Sequence, residues 1–342
     1  MSSVFAADGL CRSVVLRRRP EGEPRPEHFE VVEQPVPALG AGEVLTRTLW
    51  LSIDPYMRGR LADRASYVAP VPLGGVMDGE SVGAVLASND PRFVPGNLVL
   101  GSRGWQTHSV SPAARLVRLD RDGPAASTYL GVLGMPGTTA YSGMTDIGQA
   151  RAGETVVVSA AAGPVGSVAG QIARRAGARV VGVAGGAEKC RWVRETLGFD
   201  DCVDHRSGDP RAALASACPA GVDVYFENVG GAVQAAAFAL LNPFARVIMC
   251  GMVAEYIESV PSPGPNLMFV VGKRVRIQGL IVSDRPERFA QWRALATPWV
   301  KEGSLKYREC IVDGLENAPE ALARVLRGGN FGKMLVRVTP DA

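Results

Sequence analysis

The chain has 342 residues, 46% apolar and 21% charged, with a net charge of +3. That length exceeds what one core readily supports and points to two domains, while the charge is too small and too scattered, apart from the Arg run at 17–19, to suggest a nucleic-acid partner. Six cysteines (11, 190, 202, 218, 250 and 310) show no C-x-x-C and no close pairing, which argues against a disulfide framework or structural zinc and for a reduced, cytoplasmic setting. Residues 1–10 show no secretory signal pattern, and the apolar stretch 155–170, broken by Gly163 and Pro164, is too short to span a membrane.

Residues 1–127 read as β-rich. Short runs at 14–16, 29–32, 43–46, 81–85 and 98–100 are strand candidates, separated by Gly- and Pro-rich turns such as 35–37 and 38–42. The pattern suits a partly open β-barrel.

From 128 to 300 strands and helices alternate. The β-branched run 155–158 suits a buried parallel strand. After a small-residue turn, Val165, Val168, Ala169, Ile172, Ala173 and Ala176 recur on one helical face, and a second apolar strand follows at 179–183. Helices near 187–197, 209–217 and 232–240 then alternate with strands at 202–204, 222–226, 246–250 and 275–282. Six strands alternating with helices predict a complete doubly wound parallel sheet of the Rossmann class. The loop 259–266 is rich in turn formers and is either a cap on a substrate pocket or a long connector.

Residues 301–342 resume the β-rich character of the first 127, with a helix around 319–327 and a strand at 333–338. The expected division is therefore a β-rich catalytic domain from 1–127 and 301–342, and a dinucleotide-binding domain from 128–300. A cofactor would sit in the cleft between them.

The turn at Ala162, Gly163, Pro164, Val165 and Gly166 carries the chemistry. Backbone N–H groups at a helix start, with no Cβ at Gly163, accept a pyrophosphate, and Gly166 lets the helix pack close on its strand. Ala161 stands where the first glycine of the usual fingerprint would be. The alternative is a tight turn that binds nothing.

In NAD enzymes an acid about 20 residues past the glycines binds the ribose 2′-OH. Here the second strand runs out at Val183, Ala184, Gly185 and Gly186 with no carboxylate, and Lys189 opens the next helix. His205 and Arg206, after the third strand, add positive charge. This set favours NADPH; the alternative for Lys189 is a solvated residue beside Glu188. His28, His108 and His205 lie far apart, with no metal-ligand spacing.

Taken together, the motifs DPYMRG at 54–59, GMPGTTAY at 134–141, AAGPVG at 161–166, ENVGG at 227–231, CG at 250–251 with Tyr256, GLIV at 279–282 and GNFGK at 329–333 resemble a known family. The chain is similar to the zinc-independent medium-chain dehydrogenase/reductases, in the alkenal/enone double-bond reductase branch that includes prostaglandin reductases and curcumin reductase-like enzymes. The resemblance implies a Rossmann domain joined to a GroES-like β-rich domain, and NADPH-dependent hydride transfer to a small-molecule α,β-unsaturated carbonyl. It also implies a homodimer, while the charge and hydropathy of the chain lead to no expected nucleic-acid or membrane partner. Gly79 stands where zinc-dependent relatives carry a ligand histidine, so no metal is implied. A tyrosine common in the family after the third strand is here His205.

By the same resemblance Tyr256 is the donor to the carbonyl oxygen and Tyr56 a second tyrosine of the pocket; the alternative for each is a ring packed at the domain seam. Thr138 (in a turn at 135–139), Cys250, Asn228, Leu280, Val282 and Asn330 are implied cofactor contacts. Two rival readings are an NADPH-dependent quinone oxidoreductase of the same superfamily and a catalytically silent NADPH-binding protein.

Overall fold

Period-two alternation shapes the strands of the N-terminal half. In a computed structural model, which describes residues 9–64, 66–258, 260 and 262–339, β1 (Leu10–Leu16) and β2 (Phe29–Pro35) pair antiparallel, with Val14 opposite Val31. β3 (Glu43–Ser52) buries Val44, Thr46 and Thr48 on one face and then runs wholly buried to Ser52. A single turn of helix, α1 (Met57–Arg60), follows. β4 (Glu80–Ser88), β5 (Leu98–Ser102), β6 (His108–Pro112) and β7 (Val117–Leu119) complete this stretch. Val44, Val85, Phe93, Val99, Ala113 and Leu116 form a core cluster here. Each large side chain so buried stabilises the fold by about 1.5–3 kcal/mol.

The middle of the chain builds the second sheet. α2 (Met135–Ser142) and a π-turn at Gly143–Gly148 precede β8 (Thr155–Ser159), whose five residues are all buried, as a central parallel strand requires. Next come α3 (Gly166–Arg175), β9 (Arg179–Ala184), α4 (Ala187–Glu195), β10 (Asp201–Asp204), α5 (Pro210–Ala217) and β11 (Val222–Glu227). Asp209 caps α5 by accepting from the Arg211 N–H. α6 (Gly231–Ala239), β12 (Leu241–Met249), α7 (Met268–Lys273), β13 (Arg276–Gly279) and α8 (Glu287–Lys301) follow. The six strands run parallel in the order β10-β9-β8-β11-β12-β13. Strand order reverses between β8 and β11, the switch point where ligands of doubly wound sheets bind. Val157, Val181, Tyr225, Val247, Leu214 and Phe238 belong to the core packed on this sheet.

The chain then returns through β14 (Glu309–Asp313), α9 (Ala318–Leu326) and β15 (Lys333–Arg337). The seven-stranded sheet runs β14-β15-β3-β4-β5-β7, with β6 paired to β3. It stays open, as expected for a partly open barrel. Two compact units result: one takes residues up to Leu130, Cys310–Gly329 and those from Met334; the other takes Gly131–Glu309 and Asn330–Lys333.

Several elements differ from the sequence reading, and β6, β7, α7 and β14 have no counterpart in it. The sixth strand stops at Gly279: Leu280 makes the last ladder bond, N–H to Met249 O at 3.0 Å, and Val282 opens a 3-10 turn closed by Asp284 N–H to Ile281 O. Val282 is therefore in a turn rather than at a strand end. β12 begins at Leu241, ahead of the expected 246. The expected turn at 135–139 is the start of α2, since Pro136 is well suited to a first helical turn. α8 has no counterpart in the sequence reading, because only Trp292 and Ala296 of its 15 residues are buried, and it carries Pro298 inside. The loop at 259–266 falls partly outside the described residues.

Candidate active site

The glycine turn follows β8 directly. Ala160 takes φ +50°, uncommon for a non-glycine residue, and the chain then turns sharply, with Gly163 N–H bonded to Ala160 O at 2.8 Å. A Cβ on Gly166 would lie 2.5 Å from Ala160 O, so only glycine lets α3 start this close to the strand. Ala162, Gly163, Pro164 and Val165 form the mouth of that turn, with Ala162 buried and the other three partly exposed. A second segment closes on it: Gly332 N–H bonds Ala162 O at 3.1 Å. Gly332 sits at φ +81°, and a Cβ there would fall on Arg308 O. Phe331 packs edge-on against Trp192 of α4, and Arg308 lies 3.9 Å over the Phe331 ring. Asn330, donating to Gly332 O at 2.7 Å, is thereby held at the turn, which the sequence could not show.

At the end of β9 the basic residues converge. A Cβ on Gly185 would lie 2.8 Å from Arg206 Nε and 2.9 Å from His205 Nε2, so both side chains rest on that glycine. Asp204, the nearest acid, is spent on the backbone: its Oδ1 accepts from Gly186 N–H at 2.8 Å and Arg206 N–H at 3.0 Å, and these bonds hold its pKa low. Burial first, then the Arg206 and Lys189 charges, lower the His205 pKa, with Asp204 opposing. These groups fit a 2′-phosphate: a glycine floor, two side chains against it, Lys189 close enough to be felt, and an Asp204 already engaged by backbone N–H groups.

The other half of the switch point is organised by β11. Glu227, fully buried at its end, accepts through Oε1 from Ser159 Oγ at 2.9 Å, Val229 N–H at 2.7 Å and Gly230 N–H at 3.1 Å. Asn228 donates its side-chain amide to Ser159 O at 2.8 Å and its backbone N–H to Ser159 Oγ at 2.7 Å. The segment after β12 is laid on this turn: Cys250 and Gly251 N–H groups reach Glu227 O, Val253 N–H reaches Asn228 O, and Ala254 N–H reaches Val229 O. Tyr256 caps the short 3-10 turn that follows, and its hydroxyl lies 3.2 Å from where a Cβ on Gly251 would be. Burial, then the Glu227 carboxylate, push the Cys250 thiol up to about 12, so it is no nucleophile at neutral pH. Thr138 is fully buried in α2 and donates its hydroxyl to Gly134 O at 2.9 Å. Sequence reasoning singled out Asn228 but missed Glu227 and Ser159; a Glu closing the apolar, buried run 224–226 was the available signal.

Tyr56 belongs to the other unit, where it begins α1. Arg60 lies 5.4 Å over its ring and pairs with Asp78 at 3.6 Å. Burial foremost, then Asp54, Asp78 and Glu80, raise the phenol pKa well above its ordinary value. Near this group, a Cβ on Gly79 would already touch the Trp105 ring at 3.0 Å and Leu51 at 3.1 Å, leaving no space for a ligand side chain. Among the described residues no group of three or more His, Cys, Asp or Glu is placed to hold a metal ion. The residues present do not fit a zinc centre.

A glycine-turn Rossmann sheet together with an open β-rich sheet defines a nucleotide-binding oxidoreductase of the dehydrogenase/reductase kind. Comparison with known proteins narrows it. Residues 12–119 match the family described as "N-terminal domain of oxidoreductase", and residues 164–301 the one described as "Zinc-binding dehydrogenase". The chain is 50% identical to the NADPH-dependent curcumin reductase of Escherichia coli, over 96% of this chain and 97% of that one. It is 37% identical to the NADP-dependent 2-alkenal reductase of Nicotiana tabacum, over 96% and 98%. The structure of CurA from Vibrio vulnificus in complex with NADPH superposes with a TM-score of 0.92 at 44% identity, over 96% of this chain and all of that one. The chain belongs to the zinc-independent medium-chain dehydrogenase/reductases, in their enone reductase branch.

Proposed function

We propose that the protein reduces the C=C bond of α,β-unsaturated aldehydes and ketones with NADPH. Half of its residues are identical, over nearly its whole length, to an NADPH-dependent curcumin reductase, and that observation carries the reading. The basic group at Gly185 supports the choice of NADPH over NADH.

NADPH, when bound, supplies the hydride that reaches the β-carbon. The chain's own residues do the rest. The turn at 162–166 offers N–H groups to the pyrophosphate, and Lys189, His205 and Arg206 meet the 2′-phosphate. Asn228, Cys250, Leu280, Val282 and Asn330 line the cofactor's path, and Thr138, fully buried with its hydroxyl on Gly134 O, lies behind it. Negative charge develops on the substrate carbonyl oxygen as the β-carbon is reduced, and Tyr256 donates its hydroxyl there. A donor of this kind lowers the barrier by about 3–4 kcal/mol. Tyr56 stays protonated among its carboxylate neighbours.

We also read the protein as a cytoplasmic homodimer. All six cysteines are free thiols, which suits a reducing compartment. β13 lies at the sheet edge with its four residues exposed, including Ile277, and Met268 and Val271 of α7 are exposed as well; an edge strand pairs antiparallel with its own copy about a two-fold axis. Among the described residues no helix is long and apolar enough to cross a membrane.

NADPH oxidation with a linear 2-alkenal, an aryl enone and a quinone, followed by product analysis, tests the function. A saturated aldehyde or ketone upholds it. Turnover of the quinone alone, or an allylic alcohol as product, refutes it.

A further inference from the structure

The structure assigns Glu227 as a positioning residue for the reduction: its buried carboxylate clamps the 228–230 turn and, through that turn, the segment that carries Tyr256. The inference rests on Tyr256 being the donor to the carbonyl oxygen.

The contacts from Glu227 to Tyr256 are continuous. Glu227 is fully buried, and Oε1 alone takes all three of its bonds, from Ser159 Oγ, Val229 N–H and Gly230 N–H. Its other oxygen, Oε2, has no hydrogen-bond partner. A buried carboxylate is costly, and this one sits where β8, the β11–α6 turn and the segment after β12 meet. On its inner side the turn is held by Glu227 and Ser159. On its outer side it is the seat for Val253 and Ala254, whose N–H groups bond Asn228 O at 3.1 Å and Val229 O at 2.9 Å. Tyr256 N–H then closes on Val253 O at 3.3 Å. Gly230, at φ +83°, leaves no room for adjustment, because a Cβ there would press on Glu255 and Met252 at 3.2–3.3 Å. Removing the acceptor strands two backbone N–H groups in the interior, and the turn must move to find others. Tyr256 moves with it, and a donor displaced by a fraction of an ångström stabilises the developing charge poorly. Glu227 touches neither substrate nor the reacting atoms. What it provides is an acceptor at one point, not a negative charge.

Two substitutions separate those possibilities. Glu227→Met keeps the length but removes the acceptor. Glu227→Gln keeps an oxygen at the same reach and removes the charge. The expected result with an enone substrate, read at saturating NADPH because Asn228 rides on the same turn, is a fall in kcat of tenfold or more for Glu227→Met and less than threefold for Glu227→Gln. In a Tyr256→Phe background the effect of Glu227→Met should shrink below twofold. An unchanged kcat for Glu227→Met overturns the assignment, as does an equal loss in both variants, which would make the charge itself the functional element. A loss that persists in full in the Tyr256→Phe background also overturns it. If Tyr256→Phe alone leaves kcat unchanged, the donor reading fails by itself, and the Glu227 result is read separately. Should Glu227→Met not fold, Ser159→Ala removes one of the three donors and should lower kcat at saturating NADPH about threefold; no change overturns the assignment.

Discussion

The two ends of the cofactor-binding edge in the Rossmann unit work by opposite physics. At the β9 end, His205 and Arg206 are surface residues whose side chains rest on a glycine that partly screens the imidazole from water, and Lys189 is half buried. Their attraction for a phosphate acts through solvent, falls with ionic strength and depends on a histidine's proton. At the β11 end, Glu227 is fully buried, and its bonds go to backbone N–H groups and one serine. Here geometry is fixed and conditions matter little. Under the proposed function this is a division of labour: an adjustable electrostatic anchor for one end of the cofactor, and a rigid seat for the groups beside the reacting carbons.

That contrast can be broken first at its rigid end. Tyr256→Phe should lower kcat for an enone about 100-fold, the usual loss of one donor to developing negative charge, while NADPH affinity by fluorescence titration stays the same. At the adjustable end, Arg206→Ala should weaken NADPH binding about tenfold and leave NADH binding unchanged, since losing a charge-assisted bond to phosphate costs about 1.5 kcal/mol. Raising salt tenfold, to about 0.5 M, should weaken NADPH binding several-fold through screening, with kcat at saturating NADPH unmoved. The smallest effect concerns protons. Burial and neighbouring cations lower the His205 pKa in the free protein, so the imidazole is mainly neutral at pH 7.5. A bound phosphate favours the charged form. NADPH binding should therefore tighten about two- to threefold as the pH falls below the ordinary histidine value near 6.5, and His205→Asn should flatten that dependence. The sign for stability is opposite. With a lowered folded pKa the unfolded chain binds the proton more readily, so the free protein loses stability as pH falls, and Tm should drop less in the variant.

The alternation of strands and helices from 155 to 240 is readable because each element has one strongly apolar face or run: β8 buries all its residues, and α3 buries Val168, Ala169 and Ala173 along a stripe. α8 is not readable, because it buries only Trp292, whose indole N–H donates to Val132 O at 2.7 Å, and Ala296, and its other ties are polar, such as Arg288 to Asp146 and Arg293 to Leu133 O. One large side chain can anchor a helix without leaving a periodic signature. The glycine turn and the basic residues follow from residue type and spacing alone. Placing Asn330 at that turn requires the closure by Gly332, a contact between residues 170 apart in the chain. Glu227 lies in the ENVGG motif, but its role depends on which donors surround it, and the sequence does not say where backbone N–H groups point.

Asp204 has a consequence for how such a protein diversifies. Its carboxylate stands next to the basic residues yet is committed to the Gly186 and Arg206 backbone. A descendant that lost the bulk and charge at 205 and 206 would have to place a new acid at the end of β9, where Gly185 now stands, to greet a bare ribose. Those changes lie on exposed residues and a partly exposed glycine, far in bonding terms from the Glu227 seat. Cofactor choice is thus a peripheral and evolvable trait of this scaffold, free to drift with the metabolism around it while the reductive chemistry is inherited intact.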